Sequence, residues 1–232
     1  MKDKKNLWKQ DNAFRKGFGV KFPKSYPDET LVKLCSSKVY SKLTKVLFDQ
    51  DKKIKACDIG CMSGNNLRLF IELGYKAYGV DINDHMPNLA KKNLKRLNYK
   101  IPTIKKGNNL SIPFKKNTFD LLTSFGTLHY SYDEYTHKAI NEFKRVLKKR
   151  GIAIIETTGN KHEARKKSKR NKELNWTWGY DDFRKGQIMG WFDDENHFKK
   201  VLHKHFSKVE IIVKNEISKE ANFESYTAIC SV

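Results

Sequence analysis

The sequence predicts an α/β domain built on a doubly wound parallel sheet, and three observations support that prediction. Short apolar segments alternate with amphipathic segments over residues 54–157, and this alternation is typical of βαβ units with helices on both faces of a sheet. The first apolar segment ends in a glycine turn that leads into a helix. The length of 232 residues suits one such domain with additions.

The glycine turn lies within the segment KIKACDIGCMSGNNLRLF, residues 53–70, and has the spacing Asp58-x-Gly60-x-x-x-Gly64. Glycines allow a ligand to approach the backbone, and the free N–H groups of the first helical turn face that ligand. A strand, a glycine turn and a helix N-terminus therefore predict a nucleotide-type pocket.

An acidic residue ends each of the first two predicted strands. Asp58 ends the first strand, and Asp81 ends the second, GYKAYGVDIN, 23 residues later. A carboxylate at position 58 would repel a pyrophosphate and suits a cationic ligand or one with amine donors. A carboxylate at the position of Asp81 accepts hydrogen bonds from ribose hydroxyls. The pair predicts a positively charged amino acid joined to a nucleoside, and S-adenosylmethionine is such a molecule.

The elements before and within the sheet follow from periodicity. Residues 1–28 are polar and aromatic without a clear period. Asp28 is a candidate N-cap for a helix whose apolar positions recur at intervals of three and four from Leu31 to Leu47. The predicted strands lie near 54–59, 76–80, 101–105, 119–125 and 151–157. The predicted helices lie near 65–73, 85–98 and 133–148, the first capped by Asn65 or Asn66.

Residues 159–192 interrupt the alternation. The basic run Lys161–Lys172 is predicted to be a flexible, solvated loop, and the segment Trp176–Trp191 that follows is rich in aromatic residues. Basic and aromatic residues side by side can bind single-stranded nucleic acid, or they can form a loop followed by an ordered wall of an active site. Beyond them, a helix near 194–205 and a paired couple of strands, VEIIVK and SYTAICSV, complete a seven-stranded sheet.

The composition narrows the partners and the compartment. The formal net charge is +21, but only eight of the 47 basic residues are arginine and the lysines are scattered. A polyanion such as RNA is one interpretation of this charge, and a compositional bias, which the scatter favours, is the other. The chain has no run of eighteen apolar residues, so no membrane partner is expected. The N-terminus does not have the pattern of a secretory signal.

The four cysteines do not form the pattern of a disulfide framework, and a reducing cytoplasm is therefore the expected compartment. Cys57 and Cys61 flank the glycine turn without a matching His or Cys pair nearby. No metal site is expected there, because a structural zinc ion needs four such ligands.

Four blocks of residues, in order, resemble class I S-adenosylmethionine-dependent methyltransferases of the ubiquinone-biosynthesis-like, small-molecule type. The blocks are DIGCMSG, YGVDIN, GNNLSIPFKKNTFDLLTSFGTLHY and EFKRVLKKRGIAIIET, and they cover about 53–158. The resemblance implies a Rossmann-like seven-stranded sheet, mostly parallel with an antiparallel last strand. It implies a single domain over 1–232, with an N-terminal lid and leading helix (1–50), a cofactor-binding core (51–158), a lid or substrate insertion (159–192) and a C-terminal helix with strands (193–232).

The resemblance also implies a set of cofactor-binding residues. Asp58 is expected to contact the methionyl ammonium group, and Asp81 to hold the ribose diol with Ile82 against the adenine. Asn108 stands where the family often has an aspartate, and Met62 stands where it usually has a glycine, so the turn is expected to be wider there. The full expected set is Asp58, Gly60, Cys61, Gly64, Asp81, Ile82, Asn108, Asn109, Leu110 and Ser124.

The expected acceptor is a small molecule. The residues after the fourth strand are SFGTLHY, which lack the N/D-P-P-Y/F motif that acts on exocyclic amines of bases. His129 is the candidate general base, with Tyr130 beside it; the alternative is a polar core histidine. Aromatic side chains outside the core are expected to bind the acceptor, namely Trp8, Tyr26, Trp178 and Trp191.

Two other functions stay open at this stage. One is an RNA methyltransferase that uses the basic run, and the other is a non-catalytic protein that binds the cofactor. The expected oligomeric state is a monomer or a homodimer.

Overall fold

The computed structural model describes residues 26–37, 42–48, 53–83, 85–181 and 184–232. The strands are β1 (Lys55–Ile59), β2 (Lys76–Asp81), β3 (Thr103–Lys106), β4 (Phe119–Phe125), β5 (Leu147–Thr158), β6 (Lys169–Lys172), β7 (Asn175–Thr177), β8 (Ile188–Met189), β9 (Lys208–Ile217) and β10 (Asn222–Ser231). The α-helices are α1 (Glu29–Ser36), α2 (Asn65–Glu72), α3 (Met86–Arg96), α4 (Glu134–Val146), α5 (Glu163–Lys166) and α6 (Glu195–His203). Two 3₁₀ helices cover Leu43–Phe48 and Leu128–Tyr130.

Seven strands form the main sheet, in the order β3-β2-β1-β4-β5-β10-β9. The pairs among β3, β2, β1, β4 and β5 are parallel, whereas β10 is antiparallel to both of its neighbours. The predicted fold class is therefore confirmed, including the antiparallel last strand. The order reverses at β1, and this reversal places the carboxyl ends of β1, β2 and β4 around one crevice.

Apolar side chains fill both faces of this sheet. One cluster includes Phe119, Phe143 and Phe198, and the other, on the opposite face, includes Leu34 and Phe70. Parallel strands covered by helices on both faces are apolar along their whole length, and β4 is buried or half-buried at all seven of its positions. Polar residues at the ends of such strands therefore mark the sheet edge where a ligand can be reached.

The leading helix is shorter than predicted. Asp28 caps α1 as expected, since its carboxylate accepts hydrogen bonds from Thr30 N and Leu31 N. The helix ends at Ser36, whose hydroxyl donates to the carbonyl of Val32 at 2.6 Å. Ser37 is already extended. A serine hydroxyl that competes for helix carbonyls weakens the helix, and the prediction of one continuous helix to Leu47 is wrong.

The N-terminus of α2 also differs from the prediction. The N-cap is Gly64, in the left-handed region with φ 84°, and no side chain caps the helix. Asn65 and Asn66 lie inside the first turn. Asn66 uses its side-chain oxygen to accept from Asp28 N at 3.0 Å. The cap predicted at Asn65 or Asn66 is therefore wrong, because Asn66 connects α2 to α1 instead.

The described residues of 159–192 are folded rather than forming a loop throughout. The strands β6, β7 and β8 form a second, three-stranded sheet, and α5 precedes it. Buried Trp178, Met189 and Trp191 form a small core with Ala164. The basic run contains α5 and β6, so the prediction of a loop over Lys161–Lys172 is wrong there, whereas all four residues of β6 are exposed, as a solvated segment requires. Within the described ranges, no helix is both long and apolar enough to cross a membrane.

Candidate functional site

An open cleft lies at the carboxyl ends of β1, β2 and β4, with about 860 Å³ of space that includes the solvent at its mouth. Most of its lining is apolar or backbone, with a few polar side chains. The lining residues are Ile59, Gly60, Met62, Val80, Asp81, Ile82, Asn83, Met86, Gly107, Asn108, Asn109, Leu110, Phe125, Gly126, Thr127, Tyr130 and Ser131.

The turn after β1 has tight backbone packing. Gly60 has φ 76°, and a Cβ at this position would lie 2.2 Å from Thr127 Oγ1. Its N–H donates to Val80 O at 2.7 Å. Only glycine fits here, because a side chain would displace the loop that follows β4. Met62 takes the left-handed conformation, with φ 42°, and its side chain lines the cleft.

Asp81 lies in the cleft as predicted. Its carboxylate accepts hydrogen bonds from Met62 N and from Asn83 N, both at 2.9 Å. Burial raises the pKa of Asp81, and these backbone hydrogen bonds act against that rise. Each carboxylate oxygen accepts more than one hydrogen bond, so Asp81 can still accept from hydroxyl groups of a ligand.

Asp58 is placed differently from Asp81. It is buried and accepts a hydrogen bond from Thr123 Oγ1 at 2.6 Å, and it does not line the cleft. Burial raises the pKa of Asp58 to about 7, although hydrogen bonds from Thr123 and Asn66 act in the opposite direction. Its contact with a methionyl ammonium group stays a prediction.

Two other expected cofactor residues pack into the protein. Gly64 faces α3, because a Cβ there would lie 3.2 Å from Ala90 Cβ. Cys61 is fully buried in the apolar core, where its sulfur would meet a Cβ added to Gly79 at 2.8 Å. The structure therefore gives both residues a packing role and places neither in the cleft lining.

The loop after β3 contributes three consecutive expected residues to the cleft, Asn108, Asn109 and Leu110. Asn108 Oδ1 accepts from Leu110 N at 2.8 Å, which closes a local turn. Asn109 is buried, and its Nδ2 donates to Thr127 O at 3.0 Å and to Ser131 Oγ at 3.3 Å. The side chain of Asn109 thus contacts the loop after β4.

The segment after β4 contains the two catalytic candidates. Tyr130 lines the cleft, but His129 does not. His129 is buried, its Nδ1 has no hydrogen-bond partner among the described residues, and its ring lies 4.5 Å from that of Tyr130. Burial, together with the positive charge of Arg184, lowers the pKa of His129 to about 3. Ser124 is fully buried, outside the cleft lining, and its Oγ has no partner in the described part of the chain either.

The aromatic residues expected to bind the acceptor do not meet in the cleft. Trp178 and Trp191 are buried and stacked on each other, with ring centroids 6.0 Å apart. They form the core of the three-stranded sheet, and Tyr130 packs against that core. Tyr26 is 75% exposed. Trp8 lies outside the described residues.

Sequence reasoning missed Met86 and Ser131, two residues of the lining that lie beside the predicted ones. Asn83, Phe125 and Thr127 also line the cleft, and their position at or after the ends of parallel strands predicts the carboxyl edge of the sheet. Met86 belongs to a helix whose direction depends on packing, and no local pattern identifies it. Among the described residues, no group of His, Cys, Asp or Glu side chains is arranged to hold a metal ion.

The cleft fits an adenosyl group joined to an amino acid. Asp81 and Asn83 present oxygens where hydroxyl groups would be recognised, and apolar Ile82, Met86 and Leu110 can cover a purine. At Gly126, a Cβ would meet nothing nearer than a His129 ring carbon at 3.8 Å, so the cleft has open space beside this glycine.

Comparisons with known proteins agree with this geometry. The family model described as a methyltransferase domain matches residues 57–155. A demethylmenaquinone methyltransferase of Bacillus cereus is 30% identical over 126 residues, which are 52% of this chain and 52% of that protein. An uncharacterized methyltransferase of Anoxybacillus flavithermus is 28% identical over 101 residues, 44% of this chain and 45% of that protein. The chain spans about half the length of the curated relatives it matches.

Solved structures support the fold. A SAM-dependent methyltransferase from Methanosarcina mazei superposes with a TM-score of 0.63, covers 81% of this chain and 96% of its own, and is 21% identical. At this identity the likeness concerns the architecture. The sheet order, the cleft at the carboxyl ends of β1, β2 and β4 and the matched residues agree: residues 57–155 match the methyltransferase domain, and the chain has the fold of the class I S-adenosylmethionine-dependent methyltransferases.

Proposed function

We propose that the protein transfers the methyl group of S-adenosylmethionine to a small-molecule acceptor that binds at the Phe125–Ser131 end of the cleft. The observation that carries the proposal is the position of Asp81 in the cleft, at the end of β2 and hydrogen-bonded to the glycine turn. Asp81 would hold the ribose, and Ile82 and Leu110 would contact the adenine. The named activity of the Bacillus cereus relative, on demethylmenaquinone, supports an acceptor of the small-molecule class.

The acceptor would approach between the loop after β4 and the three-stranded sheet. Phe125, Thr127 and Tyr130 line that end of the cleft, and Tyr130 also contacts the aromatic core of residues 159–192. We propose that residues 159–192 form the wall of the acceptor site. Trp178 and Trp191 would act by shaping that wall, since both are buried within it.

Bound S-adenosylmethionine supplies an already activated methyl group, so alignment of the acceptor accounts for much of the expected rate. Tyr130 would orient the acceptor, and Phe125 would exclude water from its apolar side. His129 is neutral at neutral pH because burial depresses its pKa to about 3. A buried group of such low basicity, outside the cleft lining, does not suit removal of a proton from the acceptor.

The arginines of residues 159–192 support the small-molecule proposal over the RNA alternative. Arg165 donates to Phe192 O at 2.7 Å, and both Arg165 and Arg170 contact Asp193. Both guanidinium groups also lie over the ring of Trp176, at 4.3 and 5.7 Å. Arg165 is thus engaged inside the protein, and the more exposed Arg170 also has protein partners, whereas recognition of phosphates by arginine needs its donors.

The proposal is tested with methyl-labelled S-adenosylmethionine, the protein and fractionated cell extract, with 1,4-dihydroxynaphthalene as a defined aromatic probe. Label in the small-molecule fraction supports the proposal, whereas label only in RNA would replace it with the RNA alternative. Binding of the cofactor without any transfer would point to a non-catalytic protein. A Kd for RNA that weakens steeply with salt would mark an electrostatic RNA interaction.

A further inference from the structure

The loop after β4, residues 126–131, is fastened to the glycine turn. Thr127 Oγ1 donates to Ile59 O at 3.2 Å and also contacts Phe125 O at 3.0 Å. Gly60 packs so closely on Thr127 that a Cβ would overlap its hydroxyl. The turn that borders the cofactor end of the cleft therefore supports the first residues of this loop.

Asn109 supports the same loop from the other cofactor-side segment. Its amide nitrogen donates to Thr127 O at 3.0 Å and to Ser131 Oγ at 3.3 Å, and the side chain is only 8% exposed. The two acceptors stand immediately before and after the 3₁₀ helix Leu128–Tyr130. One buried amide thus bridges both ends of the short helix that carries Tyr130.

The opposite side of the loop contacts residues 159–192. Gly190 N donates to His129 O at 2.7 Å. A Cβ at Gly190 would lie 2.1 Å from Ser131 O, an oxygen that also accepts from Thr136 Oγ1 at 3.0 Å. The loop is therefore held between the cofactor side and the proposed acceptor wall, and its position depends on both.

We infer that Asn109 is a positioning residue for methyl transfer, whose side-chain amide fixes the Leu128–Tyr130 turn so that Tyr130 faces the acceptor. The inference rests on the proposed function and adds a role to the cofactor contact expected of Asn109. Both of its partners, a carbonyl and a hydroxyl, accept from an –NH₂ group. A carboxylate of the same shape would instead place an oxygen against the Thr127 carbonyl oxygen, and only the amide satisfies this arrangement.

Asn109→Asp tests the inference, with Asn117→Asp as the matched control, because Asn117 is an exposed turn residue outside the cleft lining. Three quantities are measured: the Kd of S-adenosylhomocysteine by calorimetry, amide hydrogen exchange of residues 126–131, and kcat and KM for the probe 1,4-dihydroxynaphthalene. We expect Asn109→Asp to leave the Kd within about threefold, to speed exchange in the loop, and to lower kcat by about 10- to 100-fold, the cost of misplacing a reacting group. The control is expected to match the wild type.

Two results would overturn the inference. Unchanged kcat and unchanged exchange in Asn109→Asp would show that the side-chain amide does not position the Leu128–Tyr130 turn. A loss of S-adenosylhomocysteine affinity as large as the loss in kcat/KM would make Asn109 a cofactor ligand instead. If Asn109→Asp does not fold, Ser131→Ala replaces it, because it removes only the 3.3 Å hydrogen bond from Asn109. We expect Ser131→Ala to give a smaller loss of kcat with faster exchange in the loop. Wild-type kcat and exchange in Ser131→Ala would also overturn the inference. If the wild type binds no cofactor, the proposed function is wrong, and the inference that rests on it falls with it.

Discussion

Asp58 and Asp81 end neighbouring strands but have different surroundings. Asp81 lines the cleft, and its carboxylate accepts hydrogen bonds from two backbone N–H groups. Asp58 is buried and accepts a hydrogen bond from the hydroxyl of Thr123. Ribose recognition needs an accessible acceptor, which Asp81 offers. A buried carboxylate such as Asp58 gains most from a nearby positive charge, because the charge offsets its desolvation.

Asp58 is predicted to make cofactor affinity depend on pH. Since burial raises its pKa to about 7, the carboxyl is protonated below that pH and cannot attract an ammonium group. The affinity for S-adenosylhomocysteine is expected to rise between pH 6 and pH 8, and Asp58→Asn is expected to remove that rise. Calorimetry at both pH values checks this, and an equal pH dependence in the two proteins would separate Asp58 from cofactor binding.

Met62 is predicted to be strained at its left-handed backbone conformation. Met62→Ala keeps the unfavourable φ and removes the side chain, whereas Met62→Gly removes both. The glycine variant is expected to be more stable than the alanine variant by about 1 kcal/mol, because an L residue pays roughly that amount in the left-handed region. Thermal unfolding of the matched pair measures the difference. An alanine variant at least as stable as the glycine variant would show that the turn carries no strain.

Position in the sequence correctly predicted which residues at strand ends line the cleft. It did not predict which residues are instead packed against other elements. Asp81, Ile82 and the Asn108–Leu110 segment line the cleft as predicted, because parallel strands bring their carboxyl ends to one edge. Gly64 was predicted from the same motif, but α3 packs against it. That contact joins residues far apart in the chain, and local spacing carries no information about it.

At the scale of elements, hydrogen bonds and ion pairs of arginine side chains hold parts of residues 159–192 together. Arg165 is central among them, because its side chain is 14% exposed, contacts Asp193 and donates to Phe192 O. Burial lowers the pKa of Arg165, but arginine stays charged at any ordinary pH. Arg165 also lies over the ring of Trp176 at 4.3 Å, and Trp176 packs against the buried core of Trp178 and Trp191.

Arg165→Ser is predicted to loosen residues 159–192, whereas Lys169→Ser is the matched control on exposed β6. Loss of a hydrogen-bonded charged group costs about 1–3 kcal/mol, so a lower Tm and faster proteolysis within this segment are expected for Arg165→Ser alone. Methyl transfer should fall with it. Equal effects of the two variants on transfer would favour a direct role of the basic surface, as the RNA alternative requires.

Periodicity predicted the long elements of the main sheet better than the short ones. The helices α2, α3 and α4 and the strands β1, β2 and β4 lie close to their predicted bounds, because each has a long or fully buried apolar pattern. The strand β6 is exposed at every position, so it has no alternation to detect. The end of the leading helix at Ser36, with Ser37 already extended, has no signal in the apolar periodicity, which continues to Leu47.

At the scale of the whole molecule, two histidines connect α4 to the segment after α6. His137 Nδ1 and His205 Nε2 are 2.9 Å apart, and His205 Nδ1 is 2.8 Å from Asn141 Oδ1. Burial lowers the pKa of both histidines, and neighbouring lysines act in the same direction. The folded state therefore favours the neutral forms of His137 and His205.

This pair is predicted to destabilise the protein in acid. Below pH about 6.5 the unfolded chain binds more protons at these histidines than the folded chain does, so their contribution to stability falls as the pH falls. Asp58, whose pKa is raised, contributes stability that increases as the pH falls. The effect of the histidines is therefore measured as a difference between the wild type and a variant that lacks them. The Tm lost between pH 7.5 and pH 5.5 is expected to be smaller in a His137→Gln/His205→Gln double variant than in the wild type. A larger loss in the variant would contradict this assignment.

The most direct measurement for the molecule as a methyltransferase is the Kd of S-adenosylmethionine, with transfer to a small-molecule fraction, for the wild type, Asp81→Ala and the control Asp181→Ala. Asp181 is 87% exposed and paired with Lys185, so its loss leaves the cleft intact. Removal of Asp81 deletes hydrogen bonds to a charged group worth about 1.5–3 kcal/mol each. We predict that the wild type and Asp181→Ala bind the cofactor and transfer its methyl group, whereas Asp81→Ala loses affinity by about 10- to 100-fold, since 1.4 kcal/mol corresponds to a factor of ten. Unchanged affinity in Asp81→Ala would contradict the site described above.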